Sequence, residues 1–245
     1  MTQPMRVAVT GGEGMLGRLL AERLDPARFV VRPLGRKEAD VTDLAALERA
    51  FADTDAVVHL AANSQVGAPW DALVGPNLLG AYHAFEAARR AGVRRVVFAS
   101  SNHAVGMYLM DADVFADPSR PHLVTPEDPV RPDSLYGATK AWGEALGRLY
   151  AEMHELEVVC LRIGWVTEDD RPPTPAQSIR EDPEVKRRAP AMWLSHRDCI
   201  SLIDASLGAD LRFGIVNGVS DNAGRWFSLD EGRRLLGWEP ADGLR

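Results

Sequence analysis

The sequence predicts an α/β protein built on a doubly wound parallel sheet, with a small C-terminal part. Apolar, strand-length runs alternate with helical patterns from the first residues to about residue 163, which is the signature of repeated βα units. A glycine-rich turn follows the first of these runs, and a tyrosine and a lysine stand one helical turn apart at the head of a long helical pattern.

Val7-Ala8-Val9-Thr10 is the first strand, and its unbroken apolar character is that of a strand buried on both faces. The turn Thr10-Gly11-Gly12-Glu13-Gly14-Met15-Leu16-Gly17 leads into a helix through Leu19 to Leu24. Phe29 to Leu34 is the second strand, with Pro33 weakening its end. Asp43 to Phe51 is a helix, Ala56 to Leu60 the third strand, and Asn77 to Arg90 a helix closed by Ala91-Gly92. Arg95 to Ala99 is the fourth strand, Leu135 to His154 a long helix, and Glu157 to Ile163 the fifth strand. Residues 107–133 and 167–191 are rich in proline and charge and are expected to form long loops without regular structure. A helix from Asp198 to Leu207, a strand from Phe213 to Asn217 and a helix from Leu229 to Leu236 complete the chain.

Gly11, Gly14 and Gly17 keep a Gly-x-x-Gly-x-x-Gly spacing between strand and helix. Glycines at such a turn permit a close approach to a pyrophosphate and tight contact of helix with strand. The helix start then presents unpaired N–H groups to phosphate. Strand before and helix after separate this turn from a glycine cluster without a ligand. Together these features predict a Rossmann-like dinucleotide site.

The second signal is Ser134-Leu135-Tyr136-Gly137-Ala138-Thr139-Lys140. The spacing puts the phenol and the ammonium on one helix face. A phenol has a pKa of about 10 in water, and a nearby cation lowers it toward the range useful for proton transfer.

Composition bounds the alternatives. With 245 residues, the chain fits one large α/β domain or one domain with an appendage. The net charge of −7 argues against a nucleic-acid or anionic-membrane partner. No apolar run approaches the ~18 residues of a membrane helix. Cys160 and Cys199 lack metal-type spacing and are expected to be buried and inert; no metal is implied, and a cytoplasmic location is the default expectation.

With these residues in view, the chain resembles the extended short-chain dehydrogenase/reductase family over nearly its whole length. The glycine turn, Asp40-Val41-Thr42-Asp43, His59-Leu60-Ala61-Ala62, Ser100-Ser101 and Tyr136-x-x-x-Lys140 carry the likeness. Within that family it is most similar to uronate dehydrogenases, through Phe98 to His103, Arg131-Pro132-Asp133, Leu161 to Gly164 and Trp193 to Asp198. Such enzymes oxidise the anomeric hydroxyl of a hexuronic acid, with NAD as hydride acceptor.

The resemblance implies a division into residues 1–165, a dinucleotide-binding core that includes the catalytic helix, and residues 166–245, a small substrate-binding part interleaved with it. It implies that Ser101, Tyr136 and Lys140 are catalytic. It places Gly11, Gly14, Met15, Leu16, Gly17, Asp40, Val41, Leu60, Ala61, Ala62, Tyr136 and Lys140 on the cofactor. Asn77 matches an asparagine that organises the site, with a helix N-cap as the other reading. Ser64, Ser101, Asn102 and His103 would bind the sugar. Arg188 would bind its carboxylate, although Lys186-Arg187-Arg188 also reads as a solvated charge run. Arg36 and Lys37 stand after the second strand in place of the acid that bonds the ribose of NAD, so NAD and NADP both remain open. A nucleotide-sugar epimerase or reductase, and a non-catalytic NAD(P)-sensing regulator, are the rival readings. A stripe of Trp142, Ala145, Leu146, Leu149 and Met153 reads as core packing or as half of a helical dimer interface.

Overall fold

Six strands lie parallel in one sheet in the order β2-β1-β3-β4-β5-β6. They are β1 (Met5–Thr10), β2 (Phe29–Leu34), β3 (Ala56–His59), β4 (Arg95–Ser101), β5 (Glu157–Ile163) and β6 (Phe213–Gly218). This computed structural model describes residues 3–115, 122–178 and 180–245. Parallel pairing needs a crossover between successive strands, and helices supply it. They are α1 (Met15–Arg23), α2 (Leu44–Phe51), α3 (Trp70–Leu73), α4 (Gly80–Arg90), α5 (Leu135–His154), α6 (Pro183–Arg188), α7 (His196–Gly208) and α8 (Asp230–Leu236).

The period of two along each strand sorts the side chains into two cores. Val7 and Val9 of β1 face one layer with Val58, Val97, Val159 and Val216, where Leu20 of α1 and Leu202 of α7 cover them. Ala8 faces the opposite layer with Val57, Val96, Phe98 and Val158, where Phe51 of α2, Phe85 of α4 and Tyr150 of α5 close it. The central strands β1, β3, β4 and β5 are buried on both faces, so they read as continuous apolar runs rather than alternating ones, whereas the edge strand β2 is half exposed. Strand order reverses between β1 and β3, which opens a crevice at their C-terminal ends.

Several boundaries differ from the sequence expectation. The helix expected from Asn77 begins at Trp70 and runs through a π-helical turn, Val74–Leu79, into α4. Pro76 lies in that turn and has no N–H to donate, which favours the wider winding. Asn77 is therefore inside a helix and caps nothing. The 107–133 stretch holds 3-10 helical turns, Asn102–Met110 and Ala112–Phe115; the rest of the expectation to residue 121 lies outside the described residues. The 167–191 stretch contains a short turn at Pro175–Gln177, then α6, capped by Asp182, and a further turn at Ala189–Met192. Local capping and Pro183 at the first helical position supply order that no hydrophobic period announced.

Most of the α5 stripe points outward, with Trp142 39% exposed, Leu149 50% and Met153 68%, while Leu146 packs against the core. The packed face is instead made by Gly143, Gly147, Tyr150 and Ala151. A Cβ on Gly143 would collide with the Phe98 ring, so the missing side chain lets α5 lie close on β4. Beneath it, Glu144 and Arg162 form a bidentate pair at 2.9 and 2.9 Å, and Ser100 Oγ donates to the same carboxylate at 2.6 Å. Both charged side chains are almost wholly buried, at 3% and 0% exposure. Cys160 and Cys199 are buried and free, and burial pushes the Cys199 thiol up to about 12.

Residues 166–245 add β6 to the same sheet, so this part is interwoven with the core through the β5–β6 ladder. Single bridges from Val124 to Phe227 and from Trp165 to Trp193 tie the loops to it.

Candidate active site

The chain segments that leave β1, β3, β4 and β5 line a cleft of about 990 Å³. Gly11 has φ +70°, and a Cβ there would stand 2.9 Å from the Ala61 nitrogen. At Gly17 a Cβ would meet the Gly11 carbonyl and Gly12 Cα, each at 2.6 Å. The turn, the start of α1 and the chain after β3 thus touch through backbone alone. The first N–H groups of α1 have no partner within the helix and face the space where a phosphate would lie. Thr10 Oγ1 and His59 Nδ1, 2.8 Å apart, lock the two strand ends together. Burial, then the charge of Lys140, drives the His59 pKa down to about 3, so this imidazole is a neutral strut.

Gly14, Met15, Leu16, Val41, Leu60, Ala61 and Ala62 all line the cleft. At its far end Asp40 accepts from Thr42 N at 2.9 Å and Thr42 Oγ1 at 2.7 Å, and Arg36 Nε lies 3.4 Å from its other oxygen. Those Thr42 bonds, more than the Arg36 charge, hold the Asp40 carboxyl below its usual range. Arg36 lines the cleft and Lys37 does not. A cradle that any Cβ would fill, an open helix start and a long cleft fit a dinucleotide.

Asn77 does not line the cleft. It sits behind the wall, where its Oδ1 accepts from Asn63 N at 2.8 Å and its Nδ2 donates to Asn63 O and Thr139 Oγ1, each at 3.1 Å. The wall residue is Asn63, and Asn77 fixes it against α5.

α5 starts at Ser134, whose Oγ accepts from Gly137 N at 3.0 Å. A Cβ at Gly137 would collide with the His103 carbonyl, so the helix start is pressed onto the chain leaving β4. That contact brings Tyr136 and Lys140 to Ser101. Tyr136 is 8% exposed and Lys140 5%. Burial raises the phenol pKa, and a hydrogen bond with Ser101 opposes the rise. Lys140 Nζ donates to Ala99 O at 2.7 Å and lies 5.7 Å from the Tyr136 ring centre. Burial lowers its pKa to about 8. The ammonium is thus turned to the Ala99 carbonyl with its charge 5.7 Å from the phenol ring centre, and Ser101 is the neighbour that opposes the rise.

At the other end of the cleft, Ser64, Asn102 and His103 are on the wall. Asn102 Oδ1 accepts from Ser101 Oγ at 3.1 Å, and its Nδ2 rests 3.0 Å from Met192 Sδ. Arg188 is not on the wall. Its guanidinium stacks 3.6 Å from the centre of the Phe115 ring and donates to Leu109 O at 3.3 Å. It is directed behind the cleft because α6 presents it to the 102–115 segment. Among the described residues, the guanidinium on the wall at this end is Arg180, which the sequence left unmarked. Arg180 Nη2 lies 2.6 Å from Asp133 Oδ2, and His103 Nδ1 lies 2.9 Å from the same carboxylate. Arg180 belongs to a stretch without periodicity, so no local signal could have found it; Asp133 was visible in the Arg131-Pro132-Asp133 element of the resemblance but was given no place in the site.

A family model for the NAD dependent epimerase/dehydratase family matches residues 7–167, the span that supplies most of this cleft's lining. The chain belongs to that family. It is similar to an L-arabinose 1-dehydrogenase (NAD(P)(+)) from Haloferax volcanii, 40% identical over 97% of this chain and 96% of the relative. It is 37% identical to a uronate dehydrogenase from Agrobacterium fabrum, over 97% of this chain and 84% of that protein. Among solved structures, a uronate dehydrogenase variant from Agrobacterium tumefaciens complexed with NAD superposes with a TM-score of 0.75 at 31% identity, covering 98% of this chain and 85% of the other. The family member described here has no helix, among the described residues, long and apolar enough to cross a membrane.

Proposed function

We propose that this family member is an NAD(P)-dependent sugar oxidoreductase acting on a hexuronate or a related aldose. The observation that carries the reading is the meeting of Ser101, Tyr136 and Lys140 beside the glycine cradle, in one cleft. The dehydrogenases of Haloferax and Agrobacterium, matched over almost the whole chain, support it.

Gly11, Gly14, Met15, Leu16 and Gly17 would hold the pyrophosphate, Asp40 and Val41 the adenine, and Ala61 and Ala62 the ribose side. Bound there, the nicotinamide supplies the hydride acceptor for a sugar C–H. Tyr136 takes the proton of the sugar hydroxyl and passes it toward solvent. Ser101 bonds the reacting oxygen and the phenol together, which orients the proton for transfer. Lys140 anchors the base of α5 to Ala99 and holds positive charge near the developing phenolate. The residue left on the sugar is a carbonyl at the anomeric carbon, as a lactone.

Residues 1–165 carry the dinucleotide in this reading, and residues 166–245 cover the sugar. The cation at position 36 beside Asp40 supports use of NADP as well as NAD. The exposed Leu79, Tyr82, Leu149 and Met153 on α4, its π-helical start and α5 support a homodimer by helix pairing, and the free thiols of Cys160 and Cys199 fit a reducing compartment such as the cytoplasm. The direct test combines thermal shift with NAD and NADP and the ultraviolet absorbance of reduced nicotinamide during incubation with aldoses. Net reduction identifies a dehydrogenase; stabilisation by either dinucleotide with no reduction for any aldose would remove the assignment.

A further inference from the structure

The adenosine end of the cleft carries a charge arrangement that separates the two nicotinamide dinucleotides. In a sheet wound this way, an acid at the end of the second strand bonds the ribose 2′-hydroxyl of NAD, whereas an arginine there accommodates the 2′-phosphate of NADP. β2 ends on Leu34 and is followed by Gly35 and Arg36, so this place has no acid of its own. The glycine turn supplies one. Gly12 N donates to Leu34 O at 3.0 Å, and a Cβ at Gly12 would stand 2.6 Å from Pro33 Cβ and 2.7 Å from Leu34 N. The turn is therefore pressed onto the end of β2, and its next residue, Glu13, falls against Gly35. A Cβ at Gly35 would stand 2.5 Å from Glu13 Cδ and 2.7 Å from Glu38 Oε2. The Glu13 carboxylate thus fills the space that a side chain at position 35 would take.

Among the described residues, the charged side chains that line this end are Glu13, Arg36 and Asp40. Arg36 Nε lies 3.4 Å from Asp40 Oδ2, so its charge is already shared with a carboxylate. Arg18 donates to the Glu13 carbonyl, and neither Arg18 nor Lys37 lines the cleft. A ribose 2′-hydroxyl can donate to the Glu13 carboxylate. A 2′-phosphate brings a charge of about −1.5 to −2 at pH 7. It would enter between Glu13 and Asp40 with Glu38 close by, and Arg36 would be the lining cation set against three carboxylates.

We infer that Glu13 sets the dinucleotide preference of this protein, accepting from the 2′-hydroxyl of NAD and repelling the 2′-phosphate of NADP. Arg36 leaves NADP usable, and Glu13 makes it the weaker ligand. The inference rests on the NAD(P) reading of the cleft above and narrows it.

The test is isothermal titration calorimetry of the full chain with NAD and with NADP, without sugar, so that affinity is read apart from turnover. Wild type should bind NAD more tightly than NADP by about tenfold or more, or 1.4 kcal/mol. Glu13→Gln keeps the length of the side chain and removes its charge. It should lower the ratio of the NADP Kd to the NAD Kd by about tenfold, chiefly through tighter binding of NADP. A smaller wild-type ratio, or tighter binding of NADP, overturns the inference and leaves the sugar-oxidoreductase reading standing, as does a ratio unmoved in a folded Glu13→Gln protein. Should that variant fail to fold, Glu13→Ala gives the same comparison, and the wild-type ratio decides alone if both fail. Binding of neither dinucleotide to wild type overturns the NAD(P) reading and this inference with it.

Discussion

A single hydroxyl separates Tyr136 from an inert packing residue. The phenol is buried, its pKa is raised, and the hydrogen bond that opposes the rise comes from Ser101. Tyr136→Phe is expected to lower kcat by about 10²- to 10⁴-fold, the range of a lost general base. The thermal shift given by NAD(P) should persist, because the glycine cradle is untouched. Full turnover in that variant would end the catalytic assignment. Lys140 permits a second test. Its folded pKa is lowered from 10.5 to about 8 by burial. Below pH 8 the lysine is charged in both states and the folded protein bears the cost of burying that charge. Between pH 8 and 10.5 the unfolded chain still holds the proton that the folded chain has released, so stability rises with pH. That fall of the pKa corresponds to on the order of 3 kcal/mol. Chemical denaturation from pH 7 to 10.5 should show wild type gaining on Lys140→Met across this window; parallel curves would refute the buried charge.

At the scale of elements, α5 is the part on which the site depends. Gly137 and Gly143 allow it to touch the chain after β4 and the Phe98 ring, and Glu144 and Arg162 bind it to β5. Removing one partner of such a buried pair leaves an uncompensated charge. Glu144→Gln should therefore cost about 3–5 kcal/mol in urea unfolding. It should also loosen Tyr136 and Lys140, which stand earlier on the same helix, and lower kcat more than it raises KM. The helix, Leu135 to His154, was plain in the sequence from its helical pattern. The direction of its Trp142–Met153 stripe was not: period alone shows that a stripe exists, and only the position of β4 and β5 shows which side is covered. The start of the α4 segment was missed for a related reason. Pro76 reads as a helix breaker, yet a wider turn absorbs it.

For the whole molecule, α5 exposes Trp142, Leu149 and Met153, and the adjoining α4 with its π-helical start exposes Tyr82 and Leu79. Sedimentation should give about twice the 26.8 kDa chain mass for wild type. Leu149→Glu with Met153→Glu should bring it to the single-chain value. A wild-type monomer at all concentrations would dismiss the dimer.

The order of strands and helices, the glycine turn and the Tyr136–Lys140 spacing were determined by the sequence itself. Each is a local matter: period, turn chemistry and one helical face are properties of contiguous residues. What the tertiary structure alone decided is which distant residues meet. It put Asn77 behind Asn63 instead of on the cofactor, turned Lys140 to Ala99 O, sent Arg188 behind the wall, and brought Arg180 to Asp133 across 47 positions of chain. Such pairings depend on how loops close over the ends of a sheet, and a charge carries no mark in sequence of the partner that will neutralise it.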